Sequence, residues 1–320
     1  MNGSGTSEIL ILEPFLIPRL WGGKKLIEDW GYEATSDIRY GECWCVSAVP
    51  GNESMIISGA YKGRTLRDLW SEEKHLFGDD TGNEFPLLTK LIDADDNTSI
   101  QVHPDDAYAR VHEDSYGKTE CWYIVDCPEG ATLPLGNNAA DREELISLIN
   151  NKAWDKLLTE VPVKKGDCVQ ITAGVMHALQ KGFVVLETQQ SSDITYRIYD
   201  YDRLSGGVKR ELHIKQGLDV ITTGKSYDAA SVCTPVADEG ELKTLVTCDK
   251  YTVWELKVSE SYVINEDRSF LIASVIEGEG YAGDIAVSKG MHFIIPADMK
   301  SLTLKGHMTL ILSSPVRRRV

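Results

Sequence analysis

Long apolar runs are missing from this 320-residue chain. None approaches the roughly 20 residues that a membrane-spanning helix requires, so no membrane partner is expected. The opening residues Met1-Asn2-Gly3-Ser4-Gly5-Thr6-Ser7-Glu8 have neither the basic start nor the apolar centre of a secretory signal. A paired cysteine framework is missing too. The seven cysteines are odd in number and scattered, which suits free thiols in a reducing cytoplasm. Cys43-Trp44-Cys45 alternates as a strand does, and no second cysteine pair at ligand spacing follows it, which argues against a metal role there. Basic residues are outnumbered: 33 Lys and Arg against 49 Asp and Glu leave a net charge of −16. Such a field repels nucleic acid, and the short tail Arg317-Arg318-Arg319 does not reverse it. A small anion can still bind where cations gather locally, which singles out Lys118 and Arg197.

What is present is ordinary in bulk, with 42% hydrophobic and 26% charged residues, and the length allows two domains. Most segments read as strands: short, β-branched or aromatic, and punctuated by Gly, Asn, Asp or Pro. Examples are Trp44–Val49, Ser54–Ile57, Leu87–Ile92, Ser99–Val102, Cys121–Val125, Gly182–Thr188 and Thr195–Tyr199. Thr65 caps a short expected helix to Trp70. Asp141 opens the best helical candidate, reaching Leu158, with Leu145, Ile149 and Trp154 near helical spacing. The pattern predicts a mainly β fold with a small helical insert.

The chemistry concentrates in Ser99-Ile100-Gln101-Val102-His103-Pro104-Asp105-Asp106. Gln101 and His103 stand two apart, on one face of a strand. Pro104 stops that strand, and Asp105-Asp106 favour a turn. Two other segments complete a set: Gly117-Lys118-Thr119-Glu120 and Gly174-Val175-Met176-His177-Ala178. Two histidines, a carboxylate and an amide oxygen form a reasonable shell for a divalent ion, zinc above all. The bland alternatives are structural histidines, a solvated Lys118, an Asp193 that caps its turn, and an Arg197 paired with Asp200 or Asp202. His75 and His112 read as surface groups, Trp44 and Trp122 as core, and Trp21-Gly22-Gly23 as a packing and turn element.

A faint internal repeat runs through the chain. Val163-Lys164-Lys165-Gly166-Asp167-Cys168-Val169-Gln170-Ile171-Thr172-Ala173 echoes Val287-Ser288-Lys289-Gly290-Met291-His292-Phe293-Ile294-Ile295-Pro296-Ala297. Val125–Gly130 likewise echoes Val275–Gly280. Two echoes in the same order predict a duplicated β unit. The copy is chemically empty: carrying the alignments across puts Ser301 where His177 stands and Phe270 where Glu120 stands. The boundary is expected near 230–240, dividing a catalytic domain, 1–235, from a degenerate C-terminal one, 236–320.

These motifs resemble the cupins, and within them the type I phosphomannose isomerases in their short bacterial form. The likeness begins at Leu12-Glu13-Pro14, Trp21-Gly22-Gly23 and Tyr40-Gly41-Glu42-Cys43-Trp44. It is strongest around Gln101–Asp106, Gly117–Tyr123, Gly174–Ala178 and Ser191–Asp200, and weakens after about residue 240. The resemblance implies two cupin-type β-barrels, or jelly-roll sandwiches. It implies one zinc per chain held by Gln101, His103, Glu120 and His177. It also implies an active-site Arg197, with Asp193 and Lys118 close by, and a hexose 6-phosphate substrate. The family reaction moves a proton between C1 and C2 of mannose 6-phosphate and fructose 6-phosphate through a cis-enediol. The base stays open between Asp193, Lys118 and a metal-bound water. Lys118, Arg197 and more weakly Lys24 are the cations for the phosphate. Competing readings are another metal cupin enzyme, an isomerase of a related sugar, or a non-catalytic sugar-phosphate-binding cupin.

Overall fold

A computed structural model of the protein describes residues 8–35, 37–80, 82–224, 232–233, 240–265 and 269–316. Its middle layer is a seven-stranded antiparallel sheet. The spatial order is Val232–Cys233, Cys168–Ile171, Glu120–Asp126, Phe183–Gln190, Leu87–Ala94, Phe15–Gly23 and Tyr40–Val46. Both faces of this sheet are covered, so Tyr40–Val46, Leu87–Ala94 and Phe183–Gln190 are buried at every residue.

On one face lie the pair Ile100–Val102 and Tyr196–Tyr199 and the pair Thr132–Asn137 and Leu158–Pro162. His177 joins them, bridging to Gln101 on one side and to Leu135 on the other. Trp122, Leu133, Leu135, Val169 and Val185 fill the space between the layers. The opposite face meets a nine-stranded sheet built mainly from residues 242–315. There Cys43, Leu91, Cys121 and Leu186 join Tyr251, Ile272, Ile294 and Ile311 in one core. The architecture is mainly β, of jelly-roll sandwich type; the sheets are open layers rather than closed barrels.

The nine-stranded sheet also takes two strands from the start of the chain. Leu10–Glu13 pairs with His292–Ile295, and Met55–Ile56 pairs with Leu10–Glu13. A cut near residue 235 therefore follows the sequence while the sheets share strands across it. Of the expected connector, only Val232–Cys233 is described, as an edge strand; residues 229–231 and 234–235 lie outside the described residues, as does the Arg317-Arg318-Arg319 tail.

Several local expectations need correction. The helix expected over 141–158 is two short helices, Arg142–Asn150 and Trp154–Leu157, and Leu158 already begins a strand. Lys152 takes a left-handed φ of 51°, which ends the first helix. Asp141 does cap it, accepting from Glu144 N. Asp105 caps a further helix, Asp106–His112, because a side chain that favours a turn serves equally as an N-cap. Trp21-Gly22-Gly23 ends a nine-residue strand. A Cβ on Gly22 would lie 2.4 Å from Gly41 N, so the close approach of the two strands requires glycine there. Thr65 caps Leu66–Glu72 with a full capping box, as expected.

Candidate metal centre and catalytic cavity

The strand Ile100–Val102 and the loop through His177 are tied by reciprocal backbone bonds: Gln101 N to His177 O at 3.0 Å and His177 N to Gln101 O at 2.9 Å. The strand Glu120–Asp126 enters from the facing sheet with Glu120 at its start. Three distant segments thus bring His103, Glu120 and His177 together, with one ligand atom from each within 4.8 Å of the others. All three are buried, at 1%, 0% and 0% exposure.

Each imidazole is oriented from behind. His103 Nδ1 donates to the Ile194 carbonyl at 2.8 Å, and His177 Nδ1 donates to the Val175 carbonyl at 2.9 Å. Both Nε2 atoms are thereby unprotonated and turned to Glu120, at 3.5 Å for His103 and 3.3 Å for His177, with the His103 Nε2 also accepting from Lys118 Nζ at 3.2 Å. Burial pushes both imidazoles down, His103 well below the usual histidine range with help from the Lys118 ammonium, and His177 to about 4. Both are neutral at physiological pH, the form that binds a metal. The Gln101 amide nitrogen stands 3.3 Å from His177 Nε2, while its oxygen, the atom that could bind a metal, accepts from Ser99 Oγ at 3.3 Å.

Neither oxygen of Glu120 has a hydrogen bond, although both are fully buried. Lys118 Nζ lies 2.9 Å from Oε2 as an ion pair without hydrogen-bond alignment. A buried carboxylate without hydrogen bonds beside two oriented imidazoles fits a divalent cation, since such a group is otherwise costly. The donor set of two nitrogens and one or two oxygens suits a borderline ion.

A cavity of about 290 Å³ opens beside this cluster, lined among others by Gln101, Lys118, Glu187, Asp193 and Arg197. Lys118 is buried, with Nζ 3.2 Å from His103 Nε2, so it belongs to the cluster rather than to a solvated loop. Arg197 lies on the strand Tyr196–Tyr199 and donates to the Glu211 carbonyl at 2.9 Å. Its expected partners are engaged elsewhere: Asp200 with Arg203 and Arg210, Asp202 with Lys152 and Lys209. The Arg197 Nε is buried without a hydrogen bond. Asp193 pairs with Lys90 at 3.3 Å. Lys24, the weakest of the expected cations, is exposed and lies outside the cavity lining. His75 and His112 are exposed, and Trp44 and Trp122 are core, as expected.

Five charged residues of the cavity were not among the candidates the sequence offered: Arg19, Glu42, Lys90, Glu187 and Arg210. Lys90 lies opposite Trp44 and Glu187, and Glu187 opposite Trp122, in one rung across four strands. Arg19 grips Glu42 through Nε at 2.7 Å and Nη2 at 3.0 Å. Burial opposes the Glu42 charge, but Lys90 and Arg19 hold its carboxyl down at about 2. Burial and the neighbouring Glu120 raise Glu187 to about 7. Glu187 Oε1 accepts from Trp122 Nε1 at 2.9 Å, while Oε2 has no hydrogen bond. The available signal was a charge inside an otherwise apolar strand, as in Phe183-Val184-Val185-Leu186-Glu187.

A His–Glu–His cluster inside a jelly-roll sandwich defines the class as a cupin with a metal-binding centre. Residues 9–125 match the family model for the phosphomannose isomerase type I catalytic domain, and residues 241–315 match that for the mannose-6-phosphate isomerase cupin domain. The chain is 42% identical over 314 residues to the mannose-6-phosphate isomerase ManA of Bacillus subtilis, covering 96% of this chain and 99% of that one. It is 42% identical over 312 residues to the mannose-6-phosphate isomerase of Streptococcus mutans, covering 96% and 98%. The crystal structure of the mannose 6-phosphate isomerase from B. subtilis superposes with a TM-score of 0.88 at 42% identity, covering 96% of this chain and 99% of that one. The chain belongs to the type I phosphomannose isomerase family.

Proposed function

We propose that this chain interconverts mannose 6-phosphate and fructose 6-phosphate, with one zinc ion held by Gln101, His103, Glu120 and His177. The observation that carries the proposal is the buried, hydrogen-bond-free Glu120 set between two imidazoles whose Nε2 atoms face it. Family membership supplies the substrate class, and the cavity beside the cluster supplies the room for it.

The hard step is removal of a weakly acidic proton next to a carbonyl. A bound zinc supplies Lewis acidity toward the sugar oxygens. The chain's own groups do the rest. Glu187 is the carboxylate best placed to move the proton, since it is buried in the cavity wall with Oε2 free of any hydrogen bond. Asp193 and Lys118, both on the cavity wall, are the other candidates of the sequence reading. Asp193 is half exposed and tied to Lys90, and Lys118 sits against the metal ligands, where its charge steadies an enediolate oxygen. Arg197 presents a permanent cation to the same developing charge. Arg19 and Arg210 share the cavity lining with Arg197 and form the electropositive side that receives the phosphate. This gathering is what lets a chain of net charge −16 hold an anionic sugar. Such a substrate places the reaction in the cytoplasm, where sugar phosphates are kept.

The test is a coupled assay of mannose 6-phosphate turnover on chelator-stripped protein resupplied with zinc, beside His103→Ala. Activity should return with zinc in the wild type and stay absent in the variant. Zinc-loaded wild-type protein that turns over no mannose 6-phosphate would overturn the reading.

A further inference from the structure

The internal repeat has a structural counterpart that the catalytic centre does not use. Its two lysine–glycine turns, Lys165-Gly166 and Lys289-Gly290, belong to different sandwiches, and both glycines adopt a φ of 89°. Each turn leads into a strand, Cys168–Ile171 in one sandwich and His292–Ile295 in the other. Lys165 and Lys289 both line one cleft between the sandwiches, of about 730 Å³. That is more than twice the 290 Å³ of the catalytic cavity.

Like the catalytic cavity, this cleft gathers cations against the charge of the whole chain. Five lysines stand against four carboxylates in its lining, while the whole chain carries −16. Lys165 and Lys289 are exposed, and Lys289 Nζ lies 4.6 Å from the centre of the Trp30 ring. Deeper in the lining is Glu255, only 2% exposed. Its Oε1 accepts from the Tyr123 hydroxyl at 2.7 Å. Its Oε2 is buried without a hydrogen bond, with Lys257 Nζ 3.7 Å away. A buried acceptor with spare capacity calls for a donor, and a hydroxyl is the neutral donor that would fit beside a lysine. Cations from two opposed turns call for a ligand of more than one negative charge, and lysine binds phosphate well as a point charge. Clefts between domains are preferred places for small-molecule sites, and this volume lies within their usual range.

We propose that this cleft is a second ligand site, for a polyhydroxylated phosphate ester larger than a hexose monophosphate. Its phosphates sit between Lys165 and Lys289, and a hydroxyl donates to Glu255 Oε2.

Isothermal titration calorimetry on the full, zinc-loaded chain tests this, with uridine diphosphate glucose and inorganic phosphate as probes. The nucleotide sugar should bind at one equivalent per cleft and at least tenfold tighter than phosphate. The double variant Lys165→Ala/Lys289→Ala, altered only at exposed positions, should weaken it at least tenfold while mannose 6-phosphate turnover is unchanged. Glu255→Gln should remove most of the advantage of the sugar-bearing probe over phosphate. Arg197→Ala should leave the binding intact. Absence of binding overturns the proposal. So does binding that Arg197→Ala abolishes and the double lysine variant spares, because the probe then sits in the catalytic cavity. The calorimetric readout is independent of turnover, so it separates failure of this site from failure of the isomerase assignment.

Discussion

The imidazoles of His103 and His177 face each other with 4.8 Å between ring centroids, each fixed from behind by its own backbone carbonyl. Those two carbonyls, of Ile194 and Val175, choose the tautomer and leave Nε2 as the unprotonated nitrogen on both rings. The pair is thereby set for an ion before any ion arrives.

Metal content follows directly. Zinc-loaded wild type should carry one zinc per chain by elemental analysis, and His177→Ala should lose it on dialysis. Loss of the ion should lower kcat/KM by about a thousandfold or more, since Lewis-acid stabilisation supplies several kcal/mol and each 1.36 kcal/mol is tenfold. A His177→Ala protein with full zinc content would disprove the ligand set.

Arg197 has a buried, unbonded Nε and, among the described residues, no carboxylate in salt-bridge contact. Arg197→Lys keeps the charge but loses the planar fork. We expect kcat/KM to fall about a hundredfold, on the scale of one lost electrostatic donor, with the thermal midpoint little changed. Steady-state kinetics beside a thermal melt decide it.

Lys90 is buried between Glu42, Glu187 and Asp193, at 3.7, 3.8 and 3.3 Å. Lys90→Met leaves the carboxylates without that cation and should cost about 3 kcal/mol, the scale of a buried pair broken on one side. Glu42, the strongest partner of Lys90, keeps Arg19, while Glu187 loses one of its two nearby cations, so part of the loss belongs to Glu187. Adding Glu187→Gln should therefore restore part of the stability in urea denaturation. No recovery in the double variant would contradict this account.

His292 lies fully buried in the C-terminal sandwich, bonded to the Tyr32 hydroxyl at 2.8 Å and to Ser274 Oγ at 2.9 Å. Burial lowers it to about 3, whereas the unfolded chain binds this proton near 6.5. Its contribution to stability is therefore complete above pH 6.5 and is lost as the pH falls toward 3. The slope should be up to about 1.4 kcal/mol per pH unit. Urea midpoints measured from pH 7 to pH 4 should fall less steeply for His292→Gln than for the wild type.

Gly117 precedes Lys118 and Glu120 in the loop that enters the cluster. A Cβ there would stand 2.4 Å from the Asp105 carbonyl carbon and 2.5 Å from Asp106 N, both backbone atoms. Gly117→Ala must push the loop outward, and a displacement near 1 Å at the reacting groups should cost about a hundredfold in kcat. The fold should survive by circular dichroism. Unchanged kinetics would show that the loop yields elsewhere.

Much of this protein was legible in the chain itself. Gln101 and His103 share a strand face because side chains alternate, and Pro104 stops that strand. Asp141 and Thr65 announce helix starts because their oxygens satisfy free N–H groups, which is a local matter. The acidic balance disfavoured nucleic acid, and motif order alone pointed to the family later shown by the family matches and the relatives. Tertiary structure decided the rest. The rung Trp44–Lys90–Glu187–Trp122 depends on strand register, and no local pattern records which residues face each other across four strands. The same holds for Leu10–Glu13, which leaves its sequence neighbours to pair with His292–Ile295. Lys165 and Lys289 were visible as a repeat, but only the packing of one sandwich on the other brings both turns to a single cleft. Local propensity acts over a few residues; register and packing are settled by long-range burial, so they appear only in the folded molecule.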